Sequence, residues 1–259
     1  MLFFFTHLFL IFLLHSPPPI GARPFPPTCS VQDTVHTIHA KQNYVLFPGK
    51  PRWVRPKPMK LTYSFSKEYM INYLSLNDIE EVFERAFARW GSVIPVSFLL
   101  TDDYVFADIK IGFYRGDHGD GEPFDGVLGV LAHSFSPESG KFHLDADETW
   151  AIDFRMEKSK VAVDLESVAV HEIGHLLGLG HSLVKEAVMY PSLKPRHKKV
   201  DLSADDIRGV QALYGTNPNF SFASALESDT SANRAVNAGI TIYLRVLNYF
   251  MVLEHVIGT

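Results

Sequence analysis

The chain has 259 residues, of which 46% are hydrophobic and 20% charged, with a formal net charge of −5 and a single cysteine. This length can bury a core of one or two domains, which excludes a mainly disordered chain, and the mildly acidic composition lacks the basic stripe that nucleic-acid binding requires. One cysteine cannot form an intramolecular disulfide, so packing or bound metal must stabilise the chain if it is secreted.

The N-terminus has the pattern of a secretory signal peptide over residues 1–22. Residues 2–14 form an apolar run that is too short to span a bilayer, and Ile20-Gly21-Ala22 offers a cleavage site. Because no Lys or Arg precedes the run, a short membrane-retained anchor stays open as an alternative. We therefore expect a secreted, extracellular protein.

The first regular elements are a strand and an amphipathic helix. Alternating side chains predict a strand over residues 61–65. Apolar residues then recur at helical spacing from Ile79 to Trp90. Either Ser75 or Asn77 can cap the start of this helix, and Gly91 is positioned to end it.

The strands come mainly before the remaining helices. Further strands are expected at 96–98 and 109–113, and helices at 165–177 and 204–214. Ser203 and Asp206 form a capping-box pattern at the start of the last helix, and Gly215 closes it. This order predicts an α+β fold, with helices packed on one side of a twisted, mostly five-stranded sheet.

The pattern H-E-x-x-H-x-x-G-x-x-H, at residues 171–181, predicts a zinc site. His171 and His175 lie one helical turn apart, so both imidazoles can reach one ion, and Glu172 projects beside them. Gly178 can take a positive φ and turn the chain back, which lets His181 supply a third ligand. Three protein ligands leave a fourth position for water, as in catalytic zinc sites.

This motif, followed by Glu186-Ala187-Val188-Met189-Tyr190-Pro191, resembles the metzincins and specifically the matrixins, or matrix metalloproteinases. The resemblance covers residues 44–217, and its phrases at 47–53 and 164–169 look closest to plant matrixins. It implies the matrixin catalytic domain, a twisted five-stranded mixed sheet with three helices, and Met189 as the Met-turn residue beneath the zinc. It also implies a chain that lacks most of the pro-domain and a hemopexin domain.

A His- and Asp-rich stretch resembles the structural-metal segment of the same family. His118, Asp120, His133 and His143 supply three imidazoles and one carboxylate, a closed tetrahedral set for a structural zinc. Without the resemblance, a polar surface loop with solvated charges would describe the stretch equally well.

The same segment offers hard oxygen ligands for calcium. They are three carboxylates and three backbone carbonyls, from Asp125, Asp145, Glu148, Gly126, Leu128 and Val130. Leu128 stands where the family usually has glycine, and Lys141 stands where a second calcium would need an aspartate. Because Asp108 alone cannot hold that second ion, we expect two zinc ions and at least one calcium.

Two regions bear on activation. Residues 27–33, PTCSVQD, keep Cys29 of the matrixin pro-segment motif but lose its Arg, Gly and second Pro. Cys29 is therefore either a weakened switch or, as we favour, a vestigial free thiol in a short leader at residues 23–43.

Tyr44 looks like the first residue of the mature matrixin domain. Its amine, once freed, is expected to pair with Asp205, while Asp206 supports the Met-turn. Alternatively, both aspartates only favour the N-terminus of the third helix, where negative charge is stabilising.

The C-terminal part comprises a polar linker at 218–238 and an apolar tail at 239–259. Arg245, Asn248 and His255 fall near one helical face of the tail, so we expect an amphipathic segment with peripheral membrane contact. A charge at mid-bilayer is costly, which disfavours a spanning helix, and a GPI signal is a weaker alternative.

The function predicted from these patterns is that of a zinc metalloendopeptidase with protein or peptide substrates, among them extracellular matrix or wall-associated proteins. Glu172 would serve as the general base for attack by zinc-bound water. The resemblance to matrixins further implies that the substrate lies extended along residues 129–133, with a hydrophobic specificity pocket beside residues 190–193. We expect a monomer in the extracellular or plant cell-wall space. The alternative is a non-catalytic, metal-stabilised binding module. In such a module, one or more of the three zinc-binding histidines and Glu172 would be expected to be missing.

Overall fold

The computed structural model describes residues 8–12, as backbone only, and residues 43–221. The chain divides into two compact units, residues 1–218 and 219–259, and nearly all of the second lies outside the described residues. The predicted leader with Cys29 and most of the signal peptide, linker and tail also lie outside them. No helix within the described ranges is long and apolar enough to cross a membrane.

Among the described elements, one helix follows the first two strands, and the other two helices follow the remaining strands. The strands are β1 Leu8–Phe12, β2 Met59–Phe65, β3 Val96–Leu100, β4 Ile109–Tyr114, β5 Val130–Phe135, β6 Lys141–Asp145, β7 Trp150–Ala151 and β8 Val163–Asp164. The helices are α1 Leu76–Val93, α2 Leu165–Leu176 and α3 Ala204–Tyr214.

The main sheet has the strand order β1-β5-β6-β4-β2-β3. Strands β6, β4, β2 and β3 run parallel, whereas β5 is antiparallel to β6. The predicted five-stranded mixed sheet with three helices is thus confirmed for β2 to β6. Strand β1 adds antiparallel to the outer edge of β5, with Leu10 opposite His133. Strands β7 and β8 form a separate parallel pair.

Helix α1 packs an apolar face on the core. Ser75 caps its start by accepting a hydrogen bond from the Asp78 backbone N–H. Ile79 and Trp90 are fully buried, and the Trp90 indole N–H donates to the Val170 carbonyl of α2 at 2.9 Å. The predicted end at Gly91 is wrong, because the helix continues through that residue to Val93.

Helix α2 is central, and all of its residues are buried. Asp164 caps its start by accepting from the Ser167 N–H, and the Trp53 indole N–H donates to the Leu176 carbonyl at 2.8 Å near its end. A helix that is covered on every side needs no polar face, and outside the motif the polar residues of α2 are Glu166 and Ser167 in its first turn. This burial places the motif side chains in a low-dielectric interior.

Candidate metal centre

The C-terminal end of α2 and the turn after it bring three histidines together. The ring centroids of His171 and His175 lie 4.7 Å apart, and His181 lies 5.3 and 4.9 Å from them. Gly178 has a φ of +103°, and a Cβ there would collide with the Pro51 carbonyl, so only glycine fits this return turn. One ligand atom from each imidazole lies within 4.8 Å of the others.

Hydrogen bonds orient two of the rings from behind. The Nδ1 atoms of His171 and His175 lie 2.6 and 2.8 Å from the carbonyl oxygens of Val188 and Leu179, so each Nδ1 donates. This tautomer leaves the Nε2 lone pair for a metal. The His171 Nε2 atom is buried and has no hydrogen-bond partner among the described residues. Burial lowers the pKa of both histidines well below the ordinary value, which keeps the rings neutral.

Glu172 is fully buried beside the histidines. Neither carboxylate oxygen makes a hydrogen bond of ordinary geometry within the described part of the chain, and the Ser134 hydroxyl on β5 is the polar group that approaches them. Burial raises the pKa of Glu172 well above its ordinary value. The sequence analysis missed Ser134; its position directly after His133 on the expected substrate edge was the available signal.

The segment below the histidines is held by the third helix. The backbone N–H groups of Val188 and Met189 donate to the two carboxylate oxygens of Asp206 at 3.0 and 3.1 Å. Asp205 accepts a hydrogen bond from the Ser182 hydroxyl at 2.6 Å. Pairing of Asp205 with a freed Tyr44 amine therefore stays a prediction for the processed chain.

A second cluster gathers around Asp120. Its Oδ2 atom lies 2.8 Å from His118 Nε2, 2.7 Å from His133 Nε2 and 2.7 Å from His143 Nδ1. The His143 Nδ1 atom is itself 3.0 and 3.3 Å from the other two imidazole nitrogens. Ligands about 2.0 Å from one tetrahedral ion lie at about these separations, so the donor set fits zinc. Burial lowers the pKa of His143 to about 4, which keeps this ring neutral.

Three carboxylates converge beside this cluster, and Arg115 is a nearby cation whose charge acts on Asp145. Asp145 and Glu148 are almost fully buried, and Glu148 Oε2 has no described hydrogen-bond partner. Burial, together with the nearby charges of Asp145 and Asp125, raises the pKa of Glu148 to about 7. Leu128 has a φ of +60°, the conformation for which glycine is favoured. The donor set and the turn fit calcium.

Asp108, the doubtful ligand of a second calcium, lies in an ion pair with Arg55. Its Oδ1 atom accepts from Arg55 Nη2 at 2.9 Å, and its Oδ2 atom accepts from the Thr62 N–H at 2.9 Å. Arg55 also donates to Glu138 at 3.1 Å, in the loop before Lys141. A guanidinium therefore supplies the positive charge at this position. The sequence analysis missed Arg55, since no motif surrounds it.

Comparisons with known proteins agree with this geometry. The matrixin model of the peptidase M10 family matches residues 52–215. Metalloendoproteinase 4-MMP of Arabidopsis thaliana is 66% identical over 213 residues, covering 81% of this chain and 62% of that protein. Metalloendoproteinase 1 of Glycine max is 44% identical, covering 74% of this chain and 64% of that protein. Human matrix metalloproteinase-20 is 40% identical, covering 73% of this chain and 36% of that protein. The chain thus spans less than two thirds of these relatives.

Proposed function

The chain belongs to the matrixin family, in its plant type, and we propose that it is a secreted zinc endopeptidase that cleaves extracellular matrix or wall-associated proteins. The observation that carries this proposal is the convergence of His171, His175 and His181 within 4.8 Å, beside the buried carboxylate of Glu172. Three neutral imidazoles are the ligand set of a catalytic rather than a structural zinc, because one coordination position stays open.

The residues of the metal centre have separate roles in the proposed hydrolysis. His171, His175 and His181 would hold the zinc, which when bound would supply Lewis-acid chemistry that makes water acidic enough to attack at neutral pH. Glu172 accepts the proton of the attacking water and then passes it to the leaving amine. A neighbouring cation favours the ionised carboxylate, which offsets the burial that raises the pKa of Glu172. The Ser134 hydroxyl on β5 is the polar side chain that approaches this carboxylate.

Strand β5 offers the edge on which an extended peptide would lie. Its outer edge pairs antiparallel with β1 of the same chain, and Leu8 lies opposite Phe135. This pairing supports the proposal that β5 binds substrate by adding a strand, through main-chain hydrogen bonds. Because β5 also carries His133 and Ser134, a peptide on this edge would lie beside Glu172.

The remaining metals would be structural. We propose a second zinc at His118, Asp120, His133 and His143, and a calcium at the carboxylates of Asp125, Asp145 and Glu148 with the carbonyls of Gly126, Leu128 and Val130. Each site ties the long loop between β4 and β5 to β6 and the turn after it. Bound metal would thereby fix the substrate edge. We further propose that the protein acts as a monomer.

Hydrolysis of a quenched fluorescent peptide and of casein tests the proposed activity. We expect the wild type to cleave both, a chelator to abolish cleavage and added zinc to restore it. Glu172→Ala should reduce kcat by about 10²- to 10⁴-fold while zinc content is unchanged, because Glu172 is not a ligand. Glu186→Ala, at an exposed carboxylate, is the matched control and should retain activity. Equal hydrolysis by the wild type and Glu172→Ala would favour a binding module.

A further inference from the structure

A segment that precedes the first strand of the main domain, residues 45–53, covers the end of α2. It also covers the return turn, residues 177–180, which carries the chain from His175 to His181. The last carbonyl groups of a helix have no partner within the helix. Here the Trp53 indole N–H donates to the Leu176 carbonyl at 2.8 Å, and the Phe47 backbone N–H donates to the Gly178 carbonyl at 3.2 Å. The segment therefore fixes the path of the chain between the two histidines.

The same segment also pairs with the second half of the return turn. Leu46 lies opposite Leu179 in an antiparallel bridge, and the Val45 carbonyl accepts a hydrogen bond from the Gly180 N–H at 2.8 Å. Leu179 is the residue whose carbonyl oxygen accepts the hydrogen bond of His175 Nδ1. Residues 45–47 thus hold in place the backbone group that orients the His175 ring.

Phe47 packs against the face of the His175 ring itself. The two ring centroids are 5.9 Å apart with an angle of 28° between the planes, an offset stack, and Phe47 is almost fully buried. A single hydrogen bond at Nδ1 still allows the imidazole to tilt about that bond. The flat face of Phe47 restricts this tilt, which fixes the direction in which His175 Nε2 points.

Metal binding should strengthen this stack. A cation bound at Nε2 withdraws electron density from the imidazole, which leaves the ring with partial positive charge. The face of a phenyl ring carries negative electrostatic potential and attracts positive charge. An interaction that is stronger in the metal-bound protein than in the metal-free protein raises the affinity for the metal.

We infer that Phe47 is a positioning residue for the catalytic zinc, acting through the ring of His175. It combines restriction of the ring before the ion binds with a contact that strengthens once the ion is bound. Phe47 offers no ligand atom, so the HExxH pattern and its spacing give no sign of this role. The inference rests on the proposed zinc endopeptidase function.

Competition between the folded protein and a zinc chelator tests the inference. Phe47→Leu keeps an apolar side chain but removes the flat ring. We expect this variant to hold one zinc about 10- to 100-fold more weakly than the wild type, the range found when groups that orient a ligand are lost. Peptide hydrolysis should disappear together with this ion. The second proposed zinc, around Asp120, is an internal reference and should keep its wild-type affinity.

A matched control removes a buried aromatic stack that touches no metal ligand. Phe87 stacks on Tyr63 with centroids 4.3 Å apart and planes at 30°, so Phe87→Leu makes the same chemical change in the core. It should leave both zinc affinities unchanged. Cobalt in place of zinc adds a spectroscopic readout, because its visible absorption depends on the ligand geometry. The spectrum should change in Phe47→Leu and stay as in the wild type in Phe87→Leu.

The other outcomes would overturn the inference or the function beneath it. A folded Phe47→Leu protein with wild-type zinc affinity and cobalt spectrum would overturn the positioning role. Equal weakening of both zinc ions, or the same weakening in Phe87→Leu, would also overturn it, since a general loss of stability would then be responsible. Phe47→Ile gives a second reading if Phe47→Leu does not fold. A wild type that binds no zinc at the three histidines would instead contradict the proposed function.

Discussion

Met189 packs against Gly174 so closely that a Cβ on Gly174 would overlap the methionine sulfur. Gly174 lies between the two histidines of α2, and the Trp90 ring would be only 3.0 Å from the same Cβ. We predict that Gly174→Ala lowers the free energy of unfolding by about 1 to 2 kcal/mol. Overpacking costs about 1 to 3 kcal/mol. The higher helix propensity of alanine returns up to about 1 kcal/mol, so a net loss remains. Chemical denaturation of the zinc-loaded protein measures this change.

A double-mutant cycle separates the contact from a general effect on the helix. In a Met189→Ala background the closest clash beside Gly174 is removed and only the Trp90 contact remains, so Gly174→Ala should cost less. Equal costs of Gly174→Ala in both backgrounds would contradict the assigned contact between these two residues.

The ion pair between Arg55 and Asp108 should stabilise the fold, and added calcium should not compensate for its loss. Arg55→Gln should lower the free energy of unfolding by about 1 to 2 kcal/mol, because it removes charge-assisted hydrogen bonds to a largely buried carboxylate. Added calcium should not restore the lost stability, as measured by thermal unfolding across a calcium titration. Arg155→Gln, which removes a solvent-exposed pair with Asp153, is the control and should leave unfolding unchanged. Recovery of the Arg55 variant at millimolar calcium would show instead that Asp108 holds an ion.

We predict that the Glu166 carboxylate stabilises the fold and that this contribution is lost in acid. Burial alone would raise the pKa of Glu166, but hydrogen bonds from Lys198 and Arg89 and the charge of Arg85 outweigh it, so the pKa lies below the ordinary 4.5. A carboxylate whose pKa is lower in the folded state stabilises the fold fully above its unfolded pKa, and this contribution disappears as pH falls through the folded pKa.

The comparison of the wild type with Glu166→Gln isolates this effect. The difference in unfolding free energy between the two should be largest above about pH 5 and shrink as pH falls below 4.5. Acid effects on the histidines are common to both proteins and cancel in the difference. Denaturant unfolding at a series of pH values measures it, and a difference that is constant with pH would contradict the assignment.

Local sequence patterns predicted those elements whose signals lie within one helix or turn. Helix α3 runs from Ala204 to Tyr214 as predicted, since its capping box at Ser203 and its Gly215 stop are both local. The end of α1 was mispredicted because a glycine ends a helix only where its φ becomes positive. Gly91 stays helical, and its missing side chain instead allows close approach of the Val96 carbonyl, 3.2 Å from where a Cβ would lie.

Long-range partners could not be predicted in the same way. The three histidines of the metal centre lie within one helix and its return turn, so their spacing alone indicated a shared ion. Arg55 and Asp108 are 53 residues apart, and Lys199 and Ser167 are 32 residues apart. Pairing over such separations depends on how the sheet and loops fold, which no local periodicity reports.

The zinc content of the folded, purified protein tests the central claim most directly. We expect two zinc ions per chain in the wild type, by elemental analysis, with anomalous diffraction placing one of them among His171, His175 and His181. His175→Ala should lose that ion, and Asp120→Ala should lose the other. A folded wild-type domain without zinc, or with zinc that His175→Ala does not affect, would contradict the account.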